Sequence, residues 1–253
     1  GGVGGGIQVP LPPLFADRIS SAGGGNTYDL CSPDAPPLRV TDHLPGAFNV
    51  ENTLGALLCV SKLLDTPAAA LAPYIPRLRP VRGRMTAIER GQPFEVIVDY
   101  AHTPASFELL FPPLRGRLRA AGKGGRLIAL FGSAGERDTQ KRPQQGRIAS
   151  RYADIIILTD EDPRGEVPET ILEDIARGIN GKTRGEDLFL IPDRPAAIRR
   201  ACSLARPGDI VLLLGKGHEN SIIYADHVMP YDEIAEAERA LGGDTKATYE
   251  HEF

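Results

Sequence analysis

The segment Val96-Ile-Val-Asp-Tyr-Ala-His-Thr-Pro104 combines a short apolar strand with polar side chains at its end. Its first three residues are β-branched, which is typical of a strand covered on both faces. Pro104 suits the first position of a helix, where no N–H donor is needed. Because ligands bind at the carboxyl ends of strands in open α/β sheets, Asp99, His102 and Thr103 are candidate site residues. The alternative is a structural cap, in which Asp99 and Thr103 accept hydrogen bonds from helix N–H groups.

The same alternation of strand and helix extends from this segment to about residue 241. Apolar runs predict strands at 96–98, 127–131, 155–158, 188–191 and 210–214, and the runs between them predict helices at 105–120, 142–152, 168–177, 195–204 and 232–241. Strands that alternate with helices in this way form βαβ units with right-handed crossovers. The predicted fold class is therefore α/β, with a Rossmann-like, mostly parallel sheet.

The region before this alternation is less regular. Strands around 14–20 and 27–31, joined by a glycine-rich turn, predict a hairpin, and an apolar helix is expected from Thr53 to about Leu64. Asn49 or Asn52 could be its N-cap. An isolated hairpin is marginal in water, so we expect residues 1–45 to be partly disordered or strand-swapped.

A stretch rich in Pro, Gly and Arg marks a boundary near residues 80–94. Strands are expected on either side of its turn, at 85–89 and 95–99. The predicted domains are residues 1–80 and residues 81–241, followed by a poorly ordered tail at 242–253.

Composition indicates a soluble, cytoplasmic protein. The 253 residues are 42% hydrophobic, and the net charge of −4 argues against a nucleic-acid surface. Three widely spaced cysteines give neither a metal-binding pattern nor a disulfide framework, which fits a reducing cytosol. No signal peptide is visible, and no apolar run approaches the roughly 18 residues of a membrane span. We expect a monomer with no membrane or nucleic-acid partner.

Charged side chains follow three further predicted strands. The loop Gly132–Asp138 suits a phosphate or a carboxylate, or is a solvated loop with self-paired charges. The acids at 160–162 suggest Mg²⁺ or an amine partner, although the pattern alone slightly favours an acid-rich helix N-terminus. The run Gly215-Lys-Gly-His-Glu219 is either a turn or a backbone cradle with one carboxylate.

Taken in order, these motifs resemble the ATP-dependent Mur ligases, and among them the MurE type, which adds the third residue of the peptidoglycan stem peptide. The matching stretches are Leu44-Pro-Gly-Ala-Phe-Asn-Val-Glu-Asn52, Val81-Arg-Gly-Arg-Met85, Asp99-Tyr-Ala-His-Thr-Pro104, Phe131-Gly-Ser-Ala-Gly-Glu-Arg-Asp138 with Lys141-Arg-Pro143, Asp162-Pro-Arg164 and Gly215-Lys-Gly-His-Glu219. The resemblance spans roughly residues 40–240.

The resemblance implies that residues 1–80 are the C-terminal remnant of a central ATP-binding domain. It implies that residues 81–241 form the Rossmann-like C-terminal glutamate-ligase domain. The family's phosphate loop, its central-domain Mg²⁺ ligands and its carbamylated lysine have no counterpart in this sequence. We therefore expect no catalytic residue and no metal ligand in this chain, and we expect the chain alone to be inactive.

The resemblance also implies the site residues. Those matching the nucleotide-binding positions are Asn49, Asn52, Arg84, Asp99 and His102. Those matching the pocket for the incoming amino acid are Arg137, Asp162, Arg164, Gly215 and Glu219. In that pocket Arg137 would pair with the α-carboxylate and Glu219 would take the ammonium group.

The implied reaction is amide formation driven by ATP, with Mg²⁺ as the second cofactor. ATP phosphorylates the D-glutamate side-chain carboxylate of UDP-MurNAc-L-Ala-D-Glu, and the amine of an amino acid attacks the resulting acyl phosphate. Diaminopimelate-specific members usually carry Asp-Asn-Pro-Arg where this chain has Glu161-Asp-Pro-Arg164. Arg164 favours a distal carboxylate, as in diaminopimelate. The additional carboxylates favour a distal amine, as in lysine or ornithine, so the substrate stays open.

Two other interpretations remain. One is a related ligase, such as a murein peptide ligase, a cyanophycin-synthetase-like domain or a folylpolyglutamate synthetase, although the Gly-Lys-Gly-His-Glu and Asp-Pro-Arg motifs favour the MurE type. The other is a non-catalytic module that binds an amino acid or a nucleotide. A dehydrogenase is disfavoured, because no GxGxxG motif follows the first strand of the sheet.

Overall fold

The computed structural model describes residues 14–22, 24–33 and 35–242. The chain divides into two compact units, which meet in sequence at Pro80 and Val81. The predicted tail beyond residue 242 lies outside the described residues. No single described helix is long and apolar enough to span a membrane. The helices Phe48–Leu64 and Ala68–Arg77, which are bent by 111° relative to each other, are together long and apolar enough by length and composition only.

The first unit contains a three-stranded antiparallel sheet beside helices. Its elements are β1 (Phe15–Ala22), β2 (Gly25–Ser32), β3 (Ala35–Asp42), α1 (Phe48–Leu64), α2 (Ala68–Leu71) and a 3-10 helix (Ala72–Arg77). The strand order is β1-β2-β3. Buried Tyr28, Val40, Val50 and Ile75 contribute to its core.

The predicted hairpin is confirmed as β1 and β2, but β3 was not predicted. Its segment contains Pro36 and Pro37, which sequence rules count against a strand, yet an edge strand tolerates proline because one side of it needs no donors. Strands β1, β2 and β3 therefore pair within the chain, rather than being disordered or swapped. Residues 1–13 of that expectation lie outside the described part.

Helix α1 begins earlier than predicted, so neither asparagine is its N-cap. The N-cap is Ala47, and Asn49 and Asn52 lie inside the helix. The preceding turn is fixed by the buried Asn26, whose Nδ2 donates to the carbonyl oxygens of Leu44 (2.8 Å) and Gly46 (3.2 Å). This side-chain support lets the helix start without a side-chain cap.

The second unit has a six-stranded sheet with helices on both faces. Its elements are β4 (Thr86–Ile88), β5 (Glu95–Asp99), α3 (Pro104–Ala121), β6 (Leu127–Phe131), α4 (Lys141–Tyr152), β7 (Ile155–Leu158), α5 (Pro168–Ala176), β8 (Leu188–Leu190), α6 (Arg194–Leu204), β9 (Ile210–Leu214), β10 (Ser221–Ile223), β11 (Val228–Pro230) and α7 (Glu233–Gly242). The sheet order is β4-β5-β9-β6-β7-β8, and only β4 runs antiparallel to its neighbour. The predicted α/β fold class is confirmed.

Alternate residues of the central strands face two separate apolar cores. In β9, Leu212 and Leu214 belong to the core that includes α3, α4 and α5. Val211 and Leu213 belong to the core that includes α6 and α7. Because strand side chains alternate between faces, strands covered on both sides read as continuous apolar runs. This is why their bounds were predicted so closely.

The antiparallel hairpin β10–β11 is the element of the second unit that sequence reasoning missed. Its strands are three residues long, and their mixed composition gives no apolar run. They pair from Ser221 with Pro230 to Ile223 with Val228.

The packing of α3 predicts opposite outcomes at two adjacent leucines. Leu110 is 5% exposed and Leu109 is 66% exposed. Leu110→Ala should lower the free energy of unfolding by roughly 2–5 kcal/mol, because it leaves a cavity in the core. Leu109→Ala should change it by less than about 0.5 kcal/mol. Urea unfolding followed by circular dichroism measures both, and equal losses would contradict this packing.

Candidate functional site

Four parallel strands bring their carboxyl ends to one edge of the second unit's sheet. The order β5-β9-β6-β7 places β9 between strands that come much earlier in the chain. The register pairs Asp99 with Leu214 and Phe131 with Leu158, so the following loops start at similar levels. Most of the sequence-predicted site residues lie in these loops.

At the end of β5, the buried Asp99 organises the backbone around it. Its carboxylate accepts hydrogen bonds from the N–H groups of Met85 and Ala101, each at 2.8 Å. Burial raises the pKa of Asp99, and these two bonds and the charge of Arg84 oppose that shift only in part. The alternative role as a structural cap is confirmed for Thr103, whose hydroxyl oxygen caps α3 by accepting a hydrogen bond from the Ser106 N–H at 3.1 Å. Asp99 instead binds loop N–H groups, not those of the helix.

Tyr100 connects several predicted residues, although the sequence did not single it out. The Arg84 guanidinium lies 4.6 Å from the centre of the Tyr100 ring. The His102 ring packs edge-on against the same ring at 4.8 Å, and its Nδ1 lies 2.9 Å from the Tyr100 carbonyl oxygen. The Tyr100 hydroxyl donates to Glu219 at 3.1 Å. The sequence signal that could have identified Tyr100 is its position directly after Asp99, the carboxylate at the end of a strand.

The loop after β9 approaches its neighbours too closely for side chains at two of its positions. Gly215 has φ of 103°, and a Cβ there would lie 2.8 Å from Glu161 Oε2. Gly217 has φ of 49°, and its Cβ would lie 2.8 Å from both the Gly83 carbonyl oxygen and the Tyr100 Cβ. The loop is therefore a tight backbone cradle between the β5 and β7 loops.

Lys216, between these glycines, is buried and brings two predicted residues together. Its Nζ donates to Asp162 Oδ1 at 2.9 Å and to Glu219 Oε2 at 2.6 Å. Sequence analysis placed Lys216 in a motif but gave it no role, because its burial depends on strands that are distant along the chain.

The hairpin β10–β11 holds the loop after β7 through backbone contacts. The Ile223 N–H donates to Asp162 Oδ1 at 3.0 Å, and the Arg164 N–H donates to the Ile223 carbonyl oxygen at 2.9 Å. Arg164 is held at φ of 53°, which is unusual for a residue with a side chain. Its Nη2 lies 3.9 Å from Asp162 Oδ2, and its buried Nε has no acceptor among the described residues.

Two further acids at the end of β7 are buried, not displayed on a helix. Burial raises the pKa of Asp160 to about 6, and its carboxylate accepts the Tyr224 hydroxyl at 3.2 Å. Burial also raises the pKa of Glu161, whose Oε2 has no hydrogen-bond partner in the described part of the chain. Helix α5 begins only at Pro168, so the interpretation as an acid-rich helix N-terminus was wrong.

The β6 loop and the start of α4 contain cations with two roles. Arg142, in the first turn of α4, is buried and pairs with Glu166 at 2.8 Å and with Asp174 at 3.0 Å, so its charge is paired within the protein and is not solvated. Arg137 is exposed, and it makes no ion pair with any described residue. The Gly135 N–H donates to the Asp162 carbonyl oxygen at 2.8 Å, which joins this loop to the β7 loop.

The two predicted asparagines lie in the first unit and contact each other. Asn52 Nδ2 donates to Asn49 Oδ1 at 3.0 Å, and Asn49 Nδ2 donates to the Pro45 carbonyl oxygen at 2.8 Å. Both belong to the first two turns of α1.

Behind the edge, the buried Arg194 at the start of α6 completes the hydrogen bonds of the strand ends. It donates to the carbonyl oxygens of Asp160 (2.9 Å) and Leu214 (2.7 Å) and pairs with Glu233 at 2.7 Å. Hydrogen bonds from Arg194 thus hold the ends of β7 and β9 together.

Charges of both signs therefore line one sheet edge. Guanidinium groups at Arg137 and Arg164 suit carboxylates, because planar N–H donors match them in pairs. Carboxylates at Glu161 and Glu219 suit ammonium groups. The arrangement fits a small zwitterionic ligand.

The family model and the sequence relatives that match this chain point to the same family. A family model described as the glutamate ligase domain of Mur ligases matches residues 83–217. The chain is 50% identical to a UDP-N-acetylmuramyl-tripeptide synthetase of Treponema denticola, over 91% of this chain and 43% of that protein. It is 38% identical to a UDP-N-acetylmuramoyl-L-alanyl-D-glutamate–2,6-diaminopimelate ligase of Geobacillus kaustophilus, over 90% of this chain and 45% of that protein.

Solved structures extend the comparison. A structure of a UDP-N-acetylmuramoyl-L-alanyl-D-glutamate–2,6-diaminopimelate ligase is 31% identical with a TM-score of 0.57, over 95% of this chain and 47% of that one. A folylpolyglutamate synthase of Mycobacterium tuberculosis shares the fold at 16% identity and a TM-score of 0.59, over 80% of this chain and 45% of that one. The chain spans less than half the length of each of these proteins.

The buried Asp160 predicts a pH-dependent stability. Its pKa of about 6 exceeds the ordinary 3.8, so between these values the folded protein keeps a proton that the unfolded chain has lost. The free energy of unfolding therefore falls as pH rises from 4 to 6. Asp160→Asn abolishes this loss, and should gain roughly 1–3 kcal/mol relative to wild type between pH 4 and pH 7.

Urea unfolding at both pH values measures this difference. The matched control is Asp138→Asn, at an exposed carboxylate, which should follow wild type at both values. An Asp160→Asn variant whose offset from wild type is the same at pH 4 and pH 7 would contradict the prediction.

Proposed function

The chain belongs to the Mur ligase family, and we propose that it is the C-terminal portion of an ATP-dependent ligase that adds the third stem-peptide residue to UDP-MurNAc-L-Ala-D-Glu. Identity of 50% to a protein named as a tripeptide synthetase supports this choice within the family. The two compact units support a division into a remnant of the central ATP-binding domain up to Pro80 and an amino-acid-binding domain after it.

The observation that carries the proposal is the mixed-charge cluster of Asp162, Arg164, Lys216 and Glu219. An amino acid brings a carboxylate and an ammonium group, and this edge offers partners for both. Arg137 makes no ion pair among the described residues, and would take the α-carboxylate. Glu219, placed by Tyr100 and Lys216, would take the attacking amine.

We propose that the incoming substrate is a diamino acid, which is the class shared by diaminopimelate, lysine and ornithine. Within the described part of the chain, Glu161 Oε2 is buried without a hydrogen-bond partner and could accept from a distal ammonium group. Arg164 Nε likewise has no acceptor there and could donate to a distal carboxylate. The charge of Asp162 is shared with Lys216 and so does not by itself repel a distal carboxylate.

The residues matched to nucleotide-binding positions suit ATP. Arg84 is exposed and stacked on Tyr100, which leaves its N–H donors for a phosphate. Asp99 uses each oxygen for one backbone N–H, so further lone pairs can accept a ribose hydroxyl. For Asn49 and Asn52, in the first unit, contact with the adenine side of the nucleotide remains a prediction from the family resemblance. ATP would supply the phosphoryl group that activates the glutamate side-chain carboxylate.

Mg²⁺ does not fit this chain on its own. The described residues contain no group of three or more His, Cys, Asp or Glu side chains placed to hold a metal ion. We therefore assign no step on these residues to a metal ion.

Isothermal titration calorimetry with meso-diaminopimelate, L-lysine and L-ornithine tests the proposal. Wild type should bind at least one of them. If that ligand is diaminopimelate, Arg164→Ala should weaken binding at least about tenfold, because a charge-assisted pair is lost. If lysine or ornithine binds and Arg164→Ala does not weaken that binding, the partner of the distal ammonium group would instead be Glu161. The control is Arg199→Ala, at an exposed arginine of α6.

A folded wild-type chain that binds none of the three amino acids would contradict the proposed pocket. Binding that both arginine substitutions weaken equally would contradict the role of Arg164 and point to a non-specific charge effect.

A further inference from the structure

Lys216 is the buried centre of an ion cluster, and the sequence resemblance gives it no role. Its side chain is 1% exposed and bridges Asp162, after β7, and Glu219, after β9. One ammonium group therefore joins the two loops that supply the pocket's acids. Its neighbours Gly215 and Gly217 leave no room for a Cβ, so the backbone that carries Lys216 is held in place on both sides.

Each carboxylate of the cluster has a second anchor, but these anchors are neutral. Glu219 Oε1 accepts the Tyr100 hydroxyl at 3.1 Å, and Asp162 Oδ1 accepts the Ile223 N–H at 3.0 Å. The other nearby cation, Arg164, lies 3.9 Å from the opposite oxygen of Asp162. Lys216 is therefore the cation that lies between the two acids.

The charge of the cluster depends on this lysine. With both carboxylates ionised, Lys216, Asp162 and Glu219 carry one net negative charge between them, not counting Arg164, which lies 3.9 Å from Asp162. Without the ammonium group, two like charges would face each other at a mostly buried position, where their repulsion is poorly screened. The hydrogen bonds from Tyr100 and Ile223 would not offset a second negative charge.

We propose that Lys216 is a positioning residue and the resident counter-cation of the amino-acid pocket. Its ammonium group cancels one carboxylate charge and keeps Glu219 against Tyr100. The pair then presents a single negative charge to the ammonium group of an incoming diamino acid. The identity of the ligand rests on the proposed function, whereas the charge balance is a property of the unliganded chain.

The test compares variants that change charge with variants that preserve it. Lys216→Met fills similar space without charge, and should lower the melting temperature and weaken diamino-acid binding at least about tenfold. Lys216→Met/Asp162→Asn restores the single negative charge, and should recover at least about threefold in affinity together with part of the melting temperature. Lys216→Arg keeps the charge and should stay within about tenfold of wild type. Lys123→Met, at an exposed lysine, should change neither quantity.

A purely mechanical tie between the loops would give no recovery, because the double variant lacks the tie just as Lys216→Met does. A double variant no better than Lys216→Met in affinity and melting temperature would overturn the proposal, as would a single variant that binds within about twofold of wild type. If Lys216→Met does not fold, the test rests on the double variant and on Lys216→Arg, which should still fold and bind. Failure of both variants to do so would overturn the proposal.

The two proposals fail in distinguishable ways. If wild type binds none of the three amino acids, the proposed function fails. The melting temperatures then decide on Lys216 alone: a double variant more stable than Lys216→Met supports the charge balance, and one of equal or lower stability overturns it.

Discussion

The placement of β9 between β5 and β6 is the constraint on which the second unit depends. Its backbone pairs with both neighbours, from Glu95 opposite Ile210 to Asp99 opposite Leu214 on one side. Because the register brings Asp99 level with Leu214, the following loops start together, and Tyr100 meets Glu219. The two cores on either side of the sheet also take alternate residues of this strand. The pairing of β9 with its neighbours thus determines both the fold of the second unit and the position of the site.

Buried polar contacts then convert this edge into a defined pocket. Arg194 supplies donors to the carbonyl groups at the ends of β7 and β9 from behind. Lys216 joins the side chains in front, and the backbone of the hairpin β10–β11 binds the side chain of Asp162 and the backbone of Arg164. Each contact satisfies a group that would be costly to bury unpaired. Two of the buried atoms that lack a hydrogen-bond partner among the described residues, Glu161 Oε2 and Arg164 Nε, lie on the same β7 loop.

Sequence reasoning predicted the regular part of the second unit well, because fully covered strands are continuous apolar runs. It missed β3, where Pro36 and Pro37 occupy an edge strand, and the hairpin β10–β11, whose strands are too short to show a pattern. It also placed the start of α1 too late, because the support comes from Asn26, a residue of β2.

The same limits apply to the candidate site. The rule that loops gather at the carboxyl edge of a parallel sheet placed the loops of Asp162 and Glu219 at one edge, and the family resemblance implied that these two residues share a pocket. The cation between them did not follow, since Lys216 is buried only after β7 and β9 have taken their places. Tyr100 and Ile223 act through a hydroxyl and a backbone N–H, whose partners are far away in the sequence. Patterns along the chain identify which loops matter, whereas contacts across the sheet decide which atoms do.

The late position of β9 has a consequence for how the chain folds. Until Ile210–Leu214 has been synthesised, β5 and β6 each lack a neighbour on one side, and an unpaired strand edge is prone to pair with other chains. Contacts between segments so distant in sequence also form slowly, because a long loop must close first. The pocket cannot assemble ahead of the sheet, since its loops meet only when β9 is inserted. Completion of the second unit's sheet and the appearance of the binding edge are therefore a single event, which follows the synthesis of β9.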